Sequence, residues 1–382
     1  MKKIHIRSII RINPEFNSIL GERLNKVTFL SVVLVILGML FGCEPLVTKF
    51  PDEQPANRYE SIVKSDVPSD VGSIMVMAWN IRFGAAQIPW FGDSCGDRVI
   101  LTRQEVLNNL QAIADKINQI QPDILLMQEV DVESKRSAYV DQVQWLLDNT
   151  YLNYGAFASM WEAQYVPSDG LGRLNTGNAV LSRWNISETT RIPLALRGDQ
   201  DALTRYFYLR RNILKVKTDV PNTNGLYVLD VHTAAFSTDD TKKKHLETFK
   251  REIDRVADAG MPFVAGGDLN GLPPGSDSTN YCDESRCLDD PPDFCPDGAD
   301  YSPEVDWLVP LYTSYAFAVP LDEYALNNPL YFTQAHGTAP NKKLDYLLTR
   351  SEGWVSGSSV THQDAIPLSD HVPVTARLIV SP

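Results

Sequence analysis

The sequence predicts an α/β domain, because short apolar runs of strand length alternate with segments of helical periodicity from residue 73 onward. Three of the predicted strands also stop on a polar residue with useful chemistry, Asn80, Glu129 and His232, and the ends of buried strands are where active sites are assembled. Residues 74–79 are uniformly apolar and end at Asn80. Thr102 and Glu105 have capping-box spacing ahead of Val106, Leu110, Ile113 and Ile117, which predicts a helix that Pro122 closes. Residues 123–127 form the next buried strand and run into Gln128-Glu129. A helix is expected over 139–147, strands over 178–182, 211–216 and 227–231, and a polar helix over about 238–259 stopped by Gly260. Further strands fall at 262–265, 344–348 and 374–379. Residues 271–301 are rich in Pro, Asp, Gly and Cys, bury little, and read as a surface insertion pinned by disulfides. No repeat of fixed period is present, which excludes a solenoid.

The chain has 382 residues, of which 43% are hydrophobic and 22% charged, enough for a sizeable core with an ordinary soluble surface. Its formal charge is −13. Residues 1–42 carry six Lys or Arg against two acids, so removing that net +4 leaves a body of −17. Such a body does not attract a polyanion at long range, and nucleic-acid binding then requires a local basic groove or a bound metal. The N-terminus reads as targeting: a basic stretch, an apolar run over 27–41, then Gly42-Cys43. The run is shorter than the roughly 20 residues of a spanning helix. Leu40-Phe41-Gly42-Cys43 resembles the bacterial lipobox, although Phe41 is bulkier than that pattern usually carries. The resemblance implies a signal segment over 1–42, lipidation at Cys43, a flexible tether over 43–70, and a domain over 71–382 held at the cell surface or in the periplasm. Cys95, Cys282, Cys287 and Cys295 remain, an even number that suits export and two disulfides with three pairings open. A zinc site is disfavoured, because no C-x-x-C pair or nearby His accompanies them.

Taken singly, the polar candidates have ordinary explanations. Asn80 suits a turn, Glu129 an exit to solvent, Asp268-Leu269-Asn270 an Asx turn, His232 a core histidine, and Asp370-His371 a helix cap. Their order changes the reading. Trp79-Asn80, Gln128-Glu129-Val130, residues 177–183 (GNAVLSR), Val231-His232-Thr233, Gly267-Asp268-Leu269-Asn270, Leu344-Asp345-Tyr346 and Ser369-Asp370-His371-Val372-Pro373 resemble the ordered signature of the endonuclease/exonuclease/phosphatase superfamily. The resemblance runs from about Ser73 to the C-terminus. It implies a DNase I-like, four-layered α/β sandwich of two packed mixed β-sheets flanked by helices, and a Mg²⁺-dependent phosphoester hydrolase, with Mn²⁺ or Ca²⁺ as alternative ions.

A phosphodiester is an anion that repels hydroxide, so its hydrolysis wants a hard cation with oxygen ligands. By resemblance Glu129 is the principal metal ligand, helped by Asn80, and Asp370 faces the metal or its water shell. Asp268 orients and deprotonates the attacking water, and Asn270 holds the water or a phosphate oxygen. His232 and His371 donate to nonbridging oxygens, and Asp345 orients His371. Arg211 is the expected phosphate contact, with Arg210 as the alternative register, and Asn178 completes the phosphate-binding set as a brace. The substrate classes implied are nucleic acid, phospholipid of the sphingomyelinase type, and small phosphoesters, acted on by a monomer.

Two departures narrow these classes. Tyr346-Leu347-Leu348 follows Asp345 where inositol-polyphosphate phosphatases usually place an arginine, and residues 271–276 (GLPPGS) differ from the run of abasic endonucleases. Trp90, Phe91 and Trp161 are expected in loops, free to stack a base or meet a lipid. The rival from another class is a noncatalytic surface binding module, which would let so costly a polar constellation decay; no position of it is missing.

Overall fold

The computed structural model describes residues 46–93, 95–335 and 339–380, so the apolar run over 27–41 and Cys43 lie outside the described residues. Thirteen strands are present among them: β1 Asn57–Glu60, β2 Ser73–Asn80, β3 Ile124–Asp131, β4 Tyr154–Val166, β5 Gly172–Ser182, β6 Ile186–Pro193, β7 Asn212–Thr218, β8 Leu226–His232, β9 Phe263–Asp268, β10 Ala316–Phe317, β11 Asp345–Thr349, β12 Val360–Thr361 and β13 Val374–Ile379. They form a seven-stranded sheet in the order β1-β4-β5-β3-β2-β13-β12 and a six-stranded sheet in the order β10-β11-β9-β8-β7-β6. Each sheet is mixed, with one parallel pair at its centre, β2 with β3 and β8 with β9.

Alternation along the central strands explains the layering. Ile74, Val76 and Ala78 of β2 join Ile124 and Leu126 of β3 in the cluster between the sheets, where they meet Leu214, Val228, Val264 and Leu347 of the second sheet. Met77 and Trp79 point the other way, together with Leu125 and Met127, onto Val106, Leu110, Ile113 and Ile117 of α1 Arg103–Ile120. Both faces of these strands are covered, so they read as continuous apolar runs. The capping box at Thr102 and Glu105 forms as its spacing predicts. Two shorter helices follow, α2 Gln142–Asn149 and α3 Ala202–Phe207. On the far side α4 Thr241–Asp258 lays Leu246, Phe249 and Ile253 on Ile213, Leu229 and Phe263. The result is helix, sheet, sheet, helix: the four-layered sandwich.

Several expectations need correction. Part of the stretch expected as a tether, residues 47–60, is packed, since Val47, Phe50 and Ala56 are buried and β1 pairs with β4, whereas Ile62 and Val63 beyond it are exposed. Isolated apolar residues without periodicity concealed that docking. The helix expected over 139–147 begins at Gln142, because Ala138 and Tyr139 adopt left-handed φ values of 55° and 59° and Asp141 supplies the cap. The helix expected from 238 begins at Thr241; Thr238 instead donates its backbone N–H to Asp199 at 2.9 Å. Trp161, expected in a loop, lies in β4. Strands β4 and β6 escaped the sequence pattern, the first because Gly, Ala and Glu interrupt its alternation and the second because an edge strand tolerates the polar run Ser187 to Thr190.

The insertion over 271–301 is more than a surface loop. Cys282 pairs with Cys295 inside it, while Cys95 pairs with Cys287 and ties it to the loop that follows β2. Leu272, Tyr281 and Tyr301 bury a small core against Leu344. Lys242 of α4, 1% exposed, adds an ion pair to Glu304 at 2.6 Å. Because the Cys95–Cys287 link spans 192 residues, replacing both cysteines by alanine is expected to lower unfolding stability by about 2–5 kcal/mol. Thermal unfolding of the variant and of the parent, with and without reductant, checks this; identical midpoints would refute it.

Candidate active site

The two sheets bring their functional strand ends to one place. In the second sheet Asp268 ends β9 directly between His232 of β8 and Asp345 of β11, each its register partner. In the first sheet Asn80 ends β2 opposite Gln128 of β3. Gly267, at φ +116°, permits the close packing beneath Asp268, because a Cβ there would stand 2.2 Å from the Val231 carbonyl oxygen. A register shift between β3 and β5 separates Met127 from Val130 and turns Glu129 out of the ladder at φ 54°. Asn270 shares that left-handed backbone at φ 45°. Such non-glycine conformations cost about 1–3 kcal/mol each and persist where surrounding contacts hold them.

Those contacts centre on Asp268. Its Oδ1 accepts the Asn270 backbone N–H at 3.0 Å, and its Oδ2 accepts Asn80 Nδ2 at 3.2 Å. The same Oδ2 lies 3.3 Å from His232 Nε2 and 3.7 Å from His371 Nε2. Asn80 Nδ2 also reaches Glu129 Oε1 at 3.2 Å, so one amide bridges the two carboxylates. His371 is set from three sides: Nδ1 bonds Asp345 Oδ2 at 2.8 Å, Trp79 Nε1 donates to its carbonyl at 2.9 Å, and its backbone N–H donates at 3.2 Å to Ser369 Oγ, whose hydroxyl donates in turn to the Asn80 carbonyl at 2.8 Å. Asn270 Nδ2 donates to the Thr233 carbonyl at 3.1 Å.

Burial gives these groups distinct proton affinities. His232 is pushed well below the usual histidine range by burial and by the nearby positive charges of Arg211 and His371, so it is neutral. Burial also works against the His371 imidazolium, yet the Asp345 and Asp268 carboxylates outweigh it and hold its pKa above the ordinary value. Burial raises Asp268, with His371 opposing. Glu129 is raised by burial and then by the negative charge of Asp370. A neutral and a cationic imidazole therefore flank one carboxylate with heightened affinity for a proton.

The residues fit a divalent cation. Glu129 and Asp370 are carboxylates that repel each other across a cavity they both line, a repulsion that a hard ion with oxygen ligands relieves. Asp268, Asp345 and His371 also bring ligand atoms within 4.8 Å of one another. Hydrogen bonds already engage that trio on one another and on Asn80 and Asn270, so Glu129 and Asp370 are the more open pair.

Residues 77–371 match the family model described as the Endonuclease/Exonuclease/phosphatase family. The chain belongs to that family. Endonuclease/exonuclease/phosphatase proteins are hydrolases of phosphoester bonds, and they generally use a divalent metal. Among solved structures, the endonuclease/exonuclease/phosphatase of Beutenbergia cavernae is 18% identical over 81% of this chain and 72% of its own, with a TM-score of 0.51, which supports the same fold. A family protein from Leptotrichia buccalis is 14% identical over 80% of this chain and 99% of its own, with a TM-score of 0.48. An AP endonuclease from Archaeoglobus fulgidus is 14% identical over 79% and 98%, with a TM-score of 0.44. No curated protein matches the chain.

Within the family frame, a cavity of about 380 Å³ collects Glu129, Arg211, His232, Asp268, Asn270, Asp370 and His371 on its wall. Asn80, expected beside Glu129 as a metal ligand, accepts the Arg82 backbone N–H on Oδ1 at 3.0 Å and turns its Nδ2 to the Glu129 and Asp268 carboxylates. Asn178, expected as a brace within the phosphate-binding set, is fully buried and outside the cavity wall; its amide donates to the carbonyl of Asn212, the residue after Arg211, at 3.1 Å. Of the two arginine registers, Arg211 lines the cavity, whereas Arg210 is turned to the Tyr206 and Tyr208 carbonyls. Trp90 lines it; Phe91 and Trp161 do not.

Arg82, Asp93 and Lys342 line the cavity as well, and none was singled out from sequence. Arg82 pairs with Asp93 and lies 3.6 Å from Asp370 Oδ2. The signal for it was its place two residues beyond Asn80, in a turn that Asn109 of α1 and Gln142 of α2 hold by bonds to the Gly84 and Phe83 carbonyls. Asp345→Asn keeps the shape of the His371 partner and removes its charge. Its expected effect on phosphoester hydrolysis is a kcat lower by about 10²-fold or more with a far smaller change in KM, and steady-state kinetics decides it; a kcat within twofold of the parent would show that Asp345 does not orient the imidazole.

Proposed function

We propose that the chain is a Mg²⁺-dependent phosphodiesterase in which water attacks phosphorus in line. The observation that carries this reading is Asp268: one carboxylate, at the meeting of both sheets, within reach of two imidazoles and joined through Asn80 to Glu129. Glu129 and Asp370 would hold the ion, with Mn²⁺ or Ca²⁺ as substitutes; when bound it supplies polarisation of the phosphoryl oxygens and stabilisation of the leaving oxygen. Asp268 orients the attacking water and takes its proton, for which a raised proton affinity suits it. Asn270 holds that water or a phosphate oxygen. His371, charged and fixed by Asp345, donates from Nε2 to a nonbridging oxygen as negative charge gathers there. His232 supplies a second donor, and Arg211, whose Nη1 donates to the His232 carbonyl at 3.2 Å, faces the phosphate from that side.

We further infer export, with Cys43 lipidated and the protein acting as a monomer at the cell surface or in the periplasm. Two disulfides support an oxidising compartment. Among the described residues no helix is long and apolar enough to cross a membrane.

Hydrolysis of bis(p-nitrophenyl) phosphate by the purified chain is expected to stop on chelation and to return with Mg²⁺. Asp268→Ala and His371→Ala are expected to lower kcat by about 10²- to 10³-fold; equal rates in all three proteins would defeat the catalytic assignment. In a separate titration of activity against Mg²⁺, Glu129→Gln is expected to raise the half-saturating concentration by about 10-fold or more. An unchanged midpoint would move the ion away from Glu129.

A further inference from the structure

The cavity is small and walled. Its volume of about 380 Å³ is that of a site for a small ligand. One wall is the loop after β2, with Trp90, Asp93 and Cys95; another is the insertion, with Pro296, Asp297 and Tyr301. The Cys95–Cys287 disulfide joins these two segments. Asp93, Asp297 and Asp370 place negative charge on the same lining, and the body beyond residue 42 is strongly acidic, so a long polyanion gains little by approaching.

The cations on the wall differ in what already occupies them. Arg82 is neutralised by Asp93 and Asp370. Arg211 donates to the His232 carbonyl and, in the reading above, is the cation for the scissile phosphate. Lys342 has neither duty. Its residue is 5% exposed, and among the described residues its ammonium makes no ion pair or hydrogen bond; it lies 4.6 Å from the centre of the Tyr281 ring. Burial lowers its pKa to about 8, with the charges of Glu284 and Asp370 pulling the other way. Among the described residues only the Tyr281 face stands in contact with this ammonium while Glu284 and Asp370 act on it without a bond, so an anion brought into the cavity would supply a direct partner. The position is set by the backbone: Lys342 pairs with Gln334, which also pairs with His371, so this cation comes from the His371 side while Arg211 stands on the His232 side. Lys343, its neighbour, is spent on the Asp345 carbonyl at 3.0 Å.

We propose that the substrate is a small phosphodiester bearing a second anionic group, a carboxylate or a further phosphate, and that Lys342 is the specificity-determining residue that receives it. This rests on the phosphodiesterase reading above and adds to it a substrate class and a second point of attachment. Arg211 and the two imidazoles take the scissile phosphate, and Lys342 fixes the far anion, so that the ester is oriented at both ends.

Three chromogenic esters test it on the full chain with Mg²⁺: methyl p-nitrophenyl phosphate, 3-carboxypropyl p-nitrophenyl phosphate and 2-phosphonoethyl p-nitrophenyl phosphate. The wild type is expected to favour one or both charged esters over the methyl ester in kcat/KM by about 10- to 100-fold, and which of the two wins separates carboxylate from phosphate. In Lys342→Met that ratio is expected to fall to about one, and Lys342→Arg to restore part of it. A wild-type ratio near one overturns the proposal whatever the stability of the variants, and a ratio that Lys342→Met leaves unchanged overturns it too. Failure of the wild type on all three esters would instead sink the phosphodiesterase reading and this inference with it.

Discussion

The bonds around the Asp268 carboxylate are the constraint on which the rest of the structure depends. They are the point at which polar groups of both sheets converge on one site: Asn80 reaches it from the first sheet, His232 from the second, and His371 from the segment leading into β13. A carboxylate 1% exposed is expensive unless every lone pair is met. Here each oxygen has a donor, one the backbone of Asn270 and the other the amide of Asn80. Any slip of β9 against its neighbours by one residue would turn Asp268 to the opposite face and leave His232 and Asp345 without their partner.

The neighbourhood is arranged to hold that register. Below the site Gln128 donates to the buried Asp230 at 2.6 Å, joining the strands that carry Glu129 and His232. On the Glu129 side Asp131 takes two bonds from Arg136, at 2.9 and 2.8 Å, and the Arg136 guanidinium covers the Phe83 ring at 3.6 Å. The strained turn at Arg82 and Phe83, with φ of 46° and 44°, is thereby pinned from above and behind. These networks gain little net stability over apolar packing, and their value lies in fixing where the charged groups stand.

The second feature is the wall around that centre. The polar centre stands on strand ends, whereas the disulfide-linked loop and insertion belong to the connections, where the shape of a substrate site is decided. In this chain they contribute Asp93, Asp297 and Tyr301 to the cavity lining, on which Lys342 also stands, with no ion pair among the described residues.

Reading along the chain was enough for the alternation of buried strands and amphipathic helices and for the candidates Glu129, His232, Asp268, Asn270, Asp345, Asp370 and His371, because each sits at a strand end or in a short motif whose meaning is local. The four layers and the family were legible through the order of those motifs. Other features depended on partners far away in sequence. Packing of residues 47–60 needed β4, 94 or more residues downstream in its register, and the edge strand β6 had no pattern until β7 paired with it. The pairing of Cys95 with Cys287 across 192 residues is a matter of proximity, not spacing. The bridge Asn80 makes between Glu129 and Asp268 exists only once the two carboxylates face it together, and Lys342 became distinct from Lys343 only when the fold set one over Tyr281 and the other against the Asp345 carbonyl. Local chemistry is written in short stretches of chain, whereas burial and charge compensation are sums over neighbours that only tertiary structure brings together.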